Sequence, residues 1–254
     1  MAQRKRTAPK LVEATEAHAP QRRNRVNLVE LAYERIEALI VNCKLRPGRL
    51  LAMQDLQEMT GLGRTPIHQA VSRLSSDTLI LVRPRHGLQI APIDLARERI
   101  LLRLRRDLER FVISLAAERS GPTHRNQMLH MQRLLRERRD AMSIDDFNAV
   151  DHRIDRLIMA AAGEPFLEHT LRPLHTIFRR IGWIYYSRIK GAPSLHATID
   201  CHLAVLDAVA NRHVEQATVA SDQLIALVDS MFDLLEHDVD PALLDCSLEP
   251  LITI

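Results

Sequence analysis

Apolar positions between Leu50 and Ala91 alternate with polar ones in a way that changes period twice. Ala52, Met53, Leu56 and Met59 share one side of a short helix, and Gly61-Leu62-Gly63 breaks it. Ile67, Ala70, Val71 and Leu74 then recur at i, i+3, i+4 and i+7, the spacing of a helix with one buried face. Thr65 is placed to cap that helix and Pro66 to occupy its first turn, where a missing N–H costs nothing. The opposite face carries Thr65, His68, Gln69 and Ser72, flanked by Arg64 and Arg73. Two short apolar runs follow, residues 80–83 and 88–91, joined by Pro84-Arg85-His86-Gly87. They predict two strands and a positively charged turn. Upstream, Leu28, Ala32, Ile36, Leu39 and Ile40 line one side of a helix over residues 28–43, and Pro47-Gly48 ends that segment. Together these elements predict a winged helix-turn-helix over residues 28–92.

Beyond Pro92 the period stays near 3.6. Asp94 is placed to cap the next helix, and six helical segments are expected at about 94–119, 123–142, 144–162, 164–190, 195–211 and 213–237. Pro173 should kink or split the fourth. The fold class expected is mostly α: an N-terminal winged helix-turn-helix and a C-terminal antiparallel all-helical bundle of about six helices. Residues 1–27 are expected as a disordered basic tail and residues 238–254 as an irregular tail.

Three polar groups interrupt the apolar rows of that bundle, where an unpaired charge is expensive. Arg105 shares a row with Leu101, Leu108 and Val112. Its partner is either Glu109, one helical turn on, or a bound carboxylate held bidentately. Asp151 and Asp155 lie at i, i+4 beside Phe147, Ile154 and Ile158. Two adjacent carboxylates need a cation between them, which a metal, Arg179 or Arg180 could supply. His202 lies in a row with Ile199, Leu206 and Val209, either as a hydrogen-bonded core residue or as part of a site shared with the aspartates.

Composition narrows the possibilities. Hydrophobic residues make up 46% of the chain and aromatics only 4%, which favours helices over a sandwich. No run is long and apolar enough for a membrane span, and no apolar signal core follows the basic start. Cys43, Cys201 and Cys246 are scattered, form no C-x-x-C pair and suit a reducing cytoplasm. Charge is polarised along the chain. Residues 1–27 hold seven Lys/Arg against two Asp/Glu, whereas the part after residue 92 holds twenty against twenty-four. A basic front end is the electrostatic footprint of a nucleic-acid binder, though a merely solvated tail would look the same. No nucleophile motif, phosphate-binding glycine loop or metalloprotease motif is present, which sets a metal-dependent hydrolase at Asp151, Asp155 and His202 far behind.

Leu45-Arg46-Pro47-Gly48, Gly63-Arg64-Thr65-Pro66-Ile67 and Arg83-Pro84-Arg85-His86-Gly87, in that order, resemble the DNA-binding domain of GntR-type bacterial transcription regulators. The resemblance implies that Arg64 and the wing residues His86 and Gly87 contact DNA. With Thr65, His68, Gln69 and Ser72 facing the bases, and Arg73 and Arg85 anchoring phosphates or guanines, the expected partner is double-stranded operator DNA bound by a homodimer. Gln54 is a further expected DNA contact, and the chain departs from the family pattern there and at Gly63, His68 and Gln69, which puts the operator sequence, not the fold, in question. Arg105-Arg106-Asp107-Leu108-Glu109, Gly163-Glu164-Pro165-Phe166-Leu167 and residues 202–209 look like the helical FCD ligand-binding domain of the FadR-type branch, in its six-helix VanR-like subset. That implies a small organic-acid effector held by Arg105, with Asp151, Asp155, His202 and Arg179 nearby. It also implies a divalent metal of the Zn, Ni or Mn class. The metal-ligand positions are occupied here by Asp151, Asp155, His202 and Leu224, and the last cannot coordinate. The function expected is a sequence-specific transcription regulator, a repressor, controlled by a small carboxylate. The competing reading is a DNA-binding architectural protein with a dimerisation bundle and no effector.

Overall fold

The computed structural model describes residues 27–248. The basic stretch expected over residues 1–27 therefore lies, up to residue 26, outside the described residues, as do residues 249–254.

The head starts with α1 (Leu28–Val41), capped by Asn27, whose Oδ1 accepts from the Val29 and Glu30 amides at 3.1 and 3.3 Å. Ala32, Tyr33, Ile36 and Ile40 are fully buried, and Glu37 is buried among them. Helix α2 (Met53–Thr60) ends at Gly61, whose φ of +68° is a left-handed conformation suited to glycine. Helix α3 (Arg64–Ser76) buries Ile67, Ala70, Val71 and Leu74. It starts two residues earlier than the sequence suggests. Gly63 is the extended N-cap, so Thr65 lies inside the first turn and caps nothing. Pro66 still sits among the first helical residues, whose amides have no intrahelical acceptor.

A three-stranded antiparallel sheet closes the head in the order β1–β3–β2, with β1 at Leu50–Leu51, β2 at Ile80–Arg83 and β3 at Gly87–Ile90. Leu88 pairs with Leu51 on one side and Val82 on the other. Strand β1, two residues long, is too short to show alternation in sequence. Gly87 is required at the wing: its φ is +87°, and a Cβ there would sit 2.9 Å from the Leu51 carbonyl oxygen.

Six helices follow: α4 (Leu95–Arg119), α5 (Pro122–Arg138), α6 (Ile144–Ala162), α7 (Pro165–Arg188), α8 (His196–Ala210) and α9 (Val214–Asp238). Asp94 caps α4 by accepting from the Arg97 amide at 3.1 Å. Pro173 does not split α7, which runs through it as one helix. Helix α4 packs on α6 and α9, and α7 reaches out of the bundle to touch α1 of the head.

The segment after Asp238 is not the irregular tail that the sequence suggests. Asp240 caps a short helix, α10 (Pro241–Leu244), and a 3-10 turn spans Cys246–Leu248. This strap folds back on the head. The Ile93 amide donates to Leu244 O at 2.8 Å, and the Cys246 amide to Pro47 O at 2.9 Å. Gly48 makes room for it: at φ +78°, a Cβ would lie 1.9 Å from Asp245 Oδ1.

Where head and bundle join, Arg180 Nη1 donates to Ala91 O at 2.9 Å, and Arg180 Nη2 lies 3.6 Å from Glu98 Oε1. That is ion-pair range but too long for a hydrogen bond, and both Glu98 carboxylate oxygens are buried without a hydrogen-bond partner. Burial therefore pushes Glu98 up to about 7, against the pull of Arg180. The folded chain holds this proton more tightly than the unfolded chain does. Stability accordingly falls as pH rises from the ordinary glutamate range through 7. Glu98→Gln should stabilise the protein at pH 8 by about 1–3 kcal/mol and by much less at pH 5. Urea unfolding at the two pH values measures this, and an equal effect at both would refute the assignment.

Candidate DNA-reading face and bundle site

The outer face of α3 presents Arg64, Thr65, His68, Gln69 and Ser72, all exposed. Gln54, exposed on α2, donates from its Nε2 to Glu58 at 3.0 Å. The wing holds Arg85, His86 and Gly87 at its exposed tip. Behind them Arg83 Nε donates to Gln89 Oε1 at 2.7 Å and stiffens the hairpin. Arg85 has φ +68°, so the turn turns sharply at a charged residue.

Arg73 departs from its expected role on this face. Its Nη1 donates to Glu30 Oε2 on α1 at 2.7 Å, and its guanidinium lies over the Tyr33 ring, 4.5 Å from the centroid. The carboxylate and the aromatic face of α1 engage it within the protein, with its side chain still 40% exposed. Arg172 of α7 covers the same ring at 3.9 Å and donates to Glu30 Oε1 at 2.6 Å. One bundle residue and one residue of the reading helix thus share the same two partners.

Inside the bundle the polar residues form a connected chain. Arg105 Nε donates to Glu109 Oε1 at 3.1 Å, and its guanidinium faces the Phe178 ring at 5.3 Å. The intrahelical partner is the one realised. Glu109 Oε1 is also 2.7 Å from His175 Nε2, whose Nδ1 lies 3.2 Å from Asp155 Oδ2. Arg179 Nη1 donates to Asp155 Oδ2 at 2.8 Å and lies 3.7 Å from Asp151 Oδ2. Asp151 Oδ1 meets His202 Nε2 at 2.8 Å, and His202 Nδ1 meets Thr198 O at 2.7 Å. Burial opposes ionisation of Asp151, but the bond to His202 and the charge of Arg179 hold its carboxyl well below the usual range. Asp155 moves the other way, raised by burial and by its neighbour Asp151. Glu109 is lowered to about 2 despite burial, because His175 and then Arg105 favour its charge.

The chain continues out of the bundle. Arg179 Nη2 donates to Glu37 Oε1 at 3.4 Å, Arg172 Nη2 to Glu37 Oε2 at 3.4 Å, and the Thr176 hydroxyl to Glu37 Oε1. Burial opposes the charge on Glu37, yet Arg179 and Arg172 hold its carboxyl below the ordinary range. Asp155, Arg179, Glu37, Arg172, Glu30 and Arg73 therefore form an unbroken run of ion pairs from the bundle interior to the reading helix.

The structure brings all five proposed effector residues, Arg105, Asp151, Asp155, His202 and Arg179, into this one network. Sequence reading missed Glu109 as a shared acceptor, His175, Arg172 and Glu37. A signal existed for two of them. Glu37 is a carboxylate inside the apolar row of α1, and His175 and Arg179 are one turn apart on a helix buried nearly all round.

Room is scarce here. The cavity bounded by Arg105, Glu109, His175 and Leu224 measures about 30 Å³, and a second one beside Asp155 and Arg172 about 20 Å³. Each holds a water or two, not an organic acid. A divalent metal does not fit the donor set either. Arg179 already places a positive charge between Asp151 and Asp155, His202 Nε2 is committed to Asp151, and Leu224 offers no donor atom. Among the described residues no three His, Cys, Asp or Glu side chains are arranged to hold a metal ion.

Comparison with known proteins places both halves. The model for bacterial regulatory proteins of the gntR family matches residues 28–90, and that for the FCD domain matches residues 100–227. The chain is 26% identical over 176 residues to the HTH-type transcriptional repressor RspR of Escherichia coli K12, covering 68% of this chain and 75% of that protein. It is 26% identical over 117 residues to the HTH-type transcriptional regulator McbR of the same strain, covering 46% of this chain and 51% of that one. The solved structure of E. coli McbR/YncC superposes with a TM-score of 0.72 at 18% identity, covering 84% of this chain and 100% of that one. A putative GntR regulator from Rhodococcus sp. RHA1 gives 0.58 at 14% identity, covering 83% and 99%. At these identities the structural likeness speaks for the fold alone. Among the described residues no helix is long and apolar enough to cross a membrane.

Because Arg179 supplies the charge a metal would, purified protein should carry no stoichiometric divalent metal. Elemental analysis checks this. One Zn, Ni or Mn per chain, lost on Asp151→Ala, would overturn it.

Proposed function

The chain belongs to the gntR family of bacterial regulatory proteins, in the branch with a C-terminal FCD domain, and we propose that it is a repressor released from its operator by a small organic acid acting on the bundle. It is a DNA-binding transcription regulator, not an enzyme. The finer reading rests on one observation: the charge network that begins at Arg105 ends at Arg73 on the reading helix.

On this reading Thr65, His68, Gln69 and Ser72 face base edges in a major groove, and Arg64 and Arg85 hold phosphates or guanines. His86 and Gly87 at the wing approach the backbone. Arg73 is a support for α3 and not a DNA ligand. The assembly is a homodimer whose two reading helices address the halves of a near-palindromic site. The exposed stripe Ile100, Leu104 and Phe111 on α4 supports a second copy packing there, since these side chains are 65%, 50% and 56% exposed.

The effector acts by competition. A carboxylate that enters the bundle interior has to take Arg105, His175 or Arg179 from Glu109 or Asp155. Since the interior is filled, binding selects a rearranged bundle, and the energy difference between the two arrangements is what shifts the head. The repressor assignment takes its support from the likeness to RspR.

Arg64→Ala should weaken operator binding by about 1–3 kcal/mol while the bundle stays folded. Arg73→Ala should lower the stability of the head more than it lowers affinity per folded molecule. Gel-shift titration with urea unfolding separates these effects. Unchanged operator affinity in Arg64→Ala would count decisively against the reading face described here.

A further inference from the structure

A roomier space beside the network lies outside the bundle interior. Between α1 of the head and α6 of the bundle is a cleft of about 300 Å³. That is ten times the larger interior cavity and reaches the lower end of small-ligand pockets. The head wall carries Glu34, Glu37, Ala38 and Val41, and the bundle wall Asn148, Ala149, His152 and Arg153.

The chemistry of the walls is lopsided. Every acid on them is already engaged. Glu34 accepts from Arg156 at 2.9 Å, Asp145 accepts from Trp183 Nε1 at 2.9 Å, and Glu37 has Arg172, Arg179 and Thr176. The donors are not engaged. The Asn148 side-chain nitrogen is buried without a hydrogen-bond partner. Arg153 is exposed and has no ion pair or hydrogen bond among the described residues. His152 comes no closer than 4.0 Å to Glu37. Burial, and then the charge of Arg179, lowers His152 to about 4, so its ring is neutral at pH 7 and free to donate one N–H. Three idle donors stand at i, i+4 and i+5 on one helix, opposite the small apolar side chains Ala38 and Val41.

We propose that this cleft is a second ligand site, distinct from the bundle interior, and that it takes a small organic anion. Its carboxylate or phosphate head meets Asn148, His152 and Arg153, and its short apolar body lies against Ala38, Val41 and Ala149. An occupant would touch both domains at once. It would sit against Glu37 and Arg179, the link through which the bundle holds the head, so its binding free energy depends on how the two are docked.

The test uses the full chain and two probes, benzoate for a carboxylate head and phenyl phosphate for a phosphate head, in isothermal titration. Three proteins are compared: wild type, the double variant Asn148→Ala/Arg153→Ala, and Arg105→Ala. Wild type should bind one probe at submillimolar concentration, and the tighter probe identifies the head group. The double variant should lose roughly tenfold or more in affinity, while Arg105→Ala stays close to wild type. Neither probe binding to wild type at millimolar concentration overturns the proposal. So does a loss that follows Arg105→Ala and spares the double variant, which would place the anion in the interior and leave the effector reading above intact. Neither substitution removes a hydrogen bond or ion pair found among the described residues, and an unchanged melting temperature without ligand confirms folding. Should the double variant unfold, Arg153→Glu alone, at an exposed position, reads the same loss.

Discussion

The carboxylate of Glu37 is the constraint on which the arrangement of the two domains depends. It is 2% exposed, on a helix of the head, and its hydrogen-bond donors Arg172, Thr176 and Arg179 all come from one helix of the bundle. A buried carboxylate without partners is costly by several kcal/mol, and removing one partner of a buried pair typically costs about 3–5 kcal/mol. The head therefore cannot rotate far from the bundle without stranding Glu37, whose donors all lie on α7. Apolar contact between α1 and α7 alone would tolerate sliding. The fork geometry of two guanidiniums on one carboxylate does not.

This constraint also explains why the same helix serves so many purposes. Helix α7 sends His175 and Arg179 into the bundle, Arg172 and Thr176 to the head, and Arg180 to the linker carbonyl of Ala91. A helix buried nearly all round has no solvated face on which to leave charges. Each must be matched, and the matches run in three directions. The strap formed by α10 and the turn after it adds backbone hydrogen bonds at Pro47 and Ile93, so the head is held at two separated points. With two points fixed, a change at one is felt as a tilt at the other.

Much of this was legible in the residues. The i, i+3, i+4 rows of α3 and the six long helical periods after Asp94 fixed the element order, because periodicity is a local property. Asp151 with His202, and Asp155 with Arg179, were foreseeable as groups needing partners, since burial of charge can be read from an apolar row. What could not be read was which partner wins. Arg105 needed an anion, and Glu109 on the same helix supplies one. Arg73 sits on the polar side of α3 by spacing, yet Glu30 and Tyr33, about forty residues upstream, engage its guanidinium. The strap after Asp238 was missed because its order comes from the Pro47 and Ile93 backbone, not from a pattern of its own. The start of α3 was misplaced by two residues because glycine at an N-cap leaves no side-chain signature.

The paired interior has a consequence for the regulation proposed above. Every anionic group around Arg105, His175 and Arg179 is already a native carboxylate. A ligand carboxylate gains little by replacing one of them like for like, since one charged hydrogen bond is exchanged for another. Affinity must then come from what the displaced residue does next. Asp155, raised toward neutrality by burial and by Asp151, is the group most easily released, because it can take up a proton instead of carrying an unmatched charge. Releasing it frees Arg179, and Arg179 also binds Glu37. On that reading the interior is coupled to the head at the side chain where exchange is least costly, and an interior ligand that leaves Arg179 in place would bind without moving the head through this link.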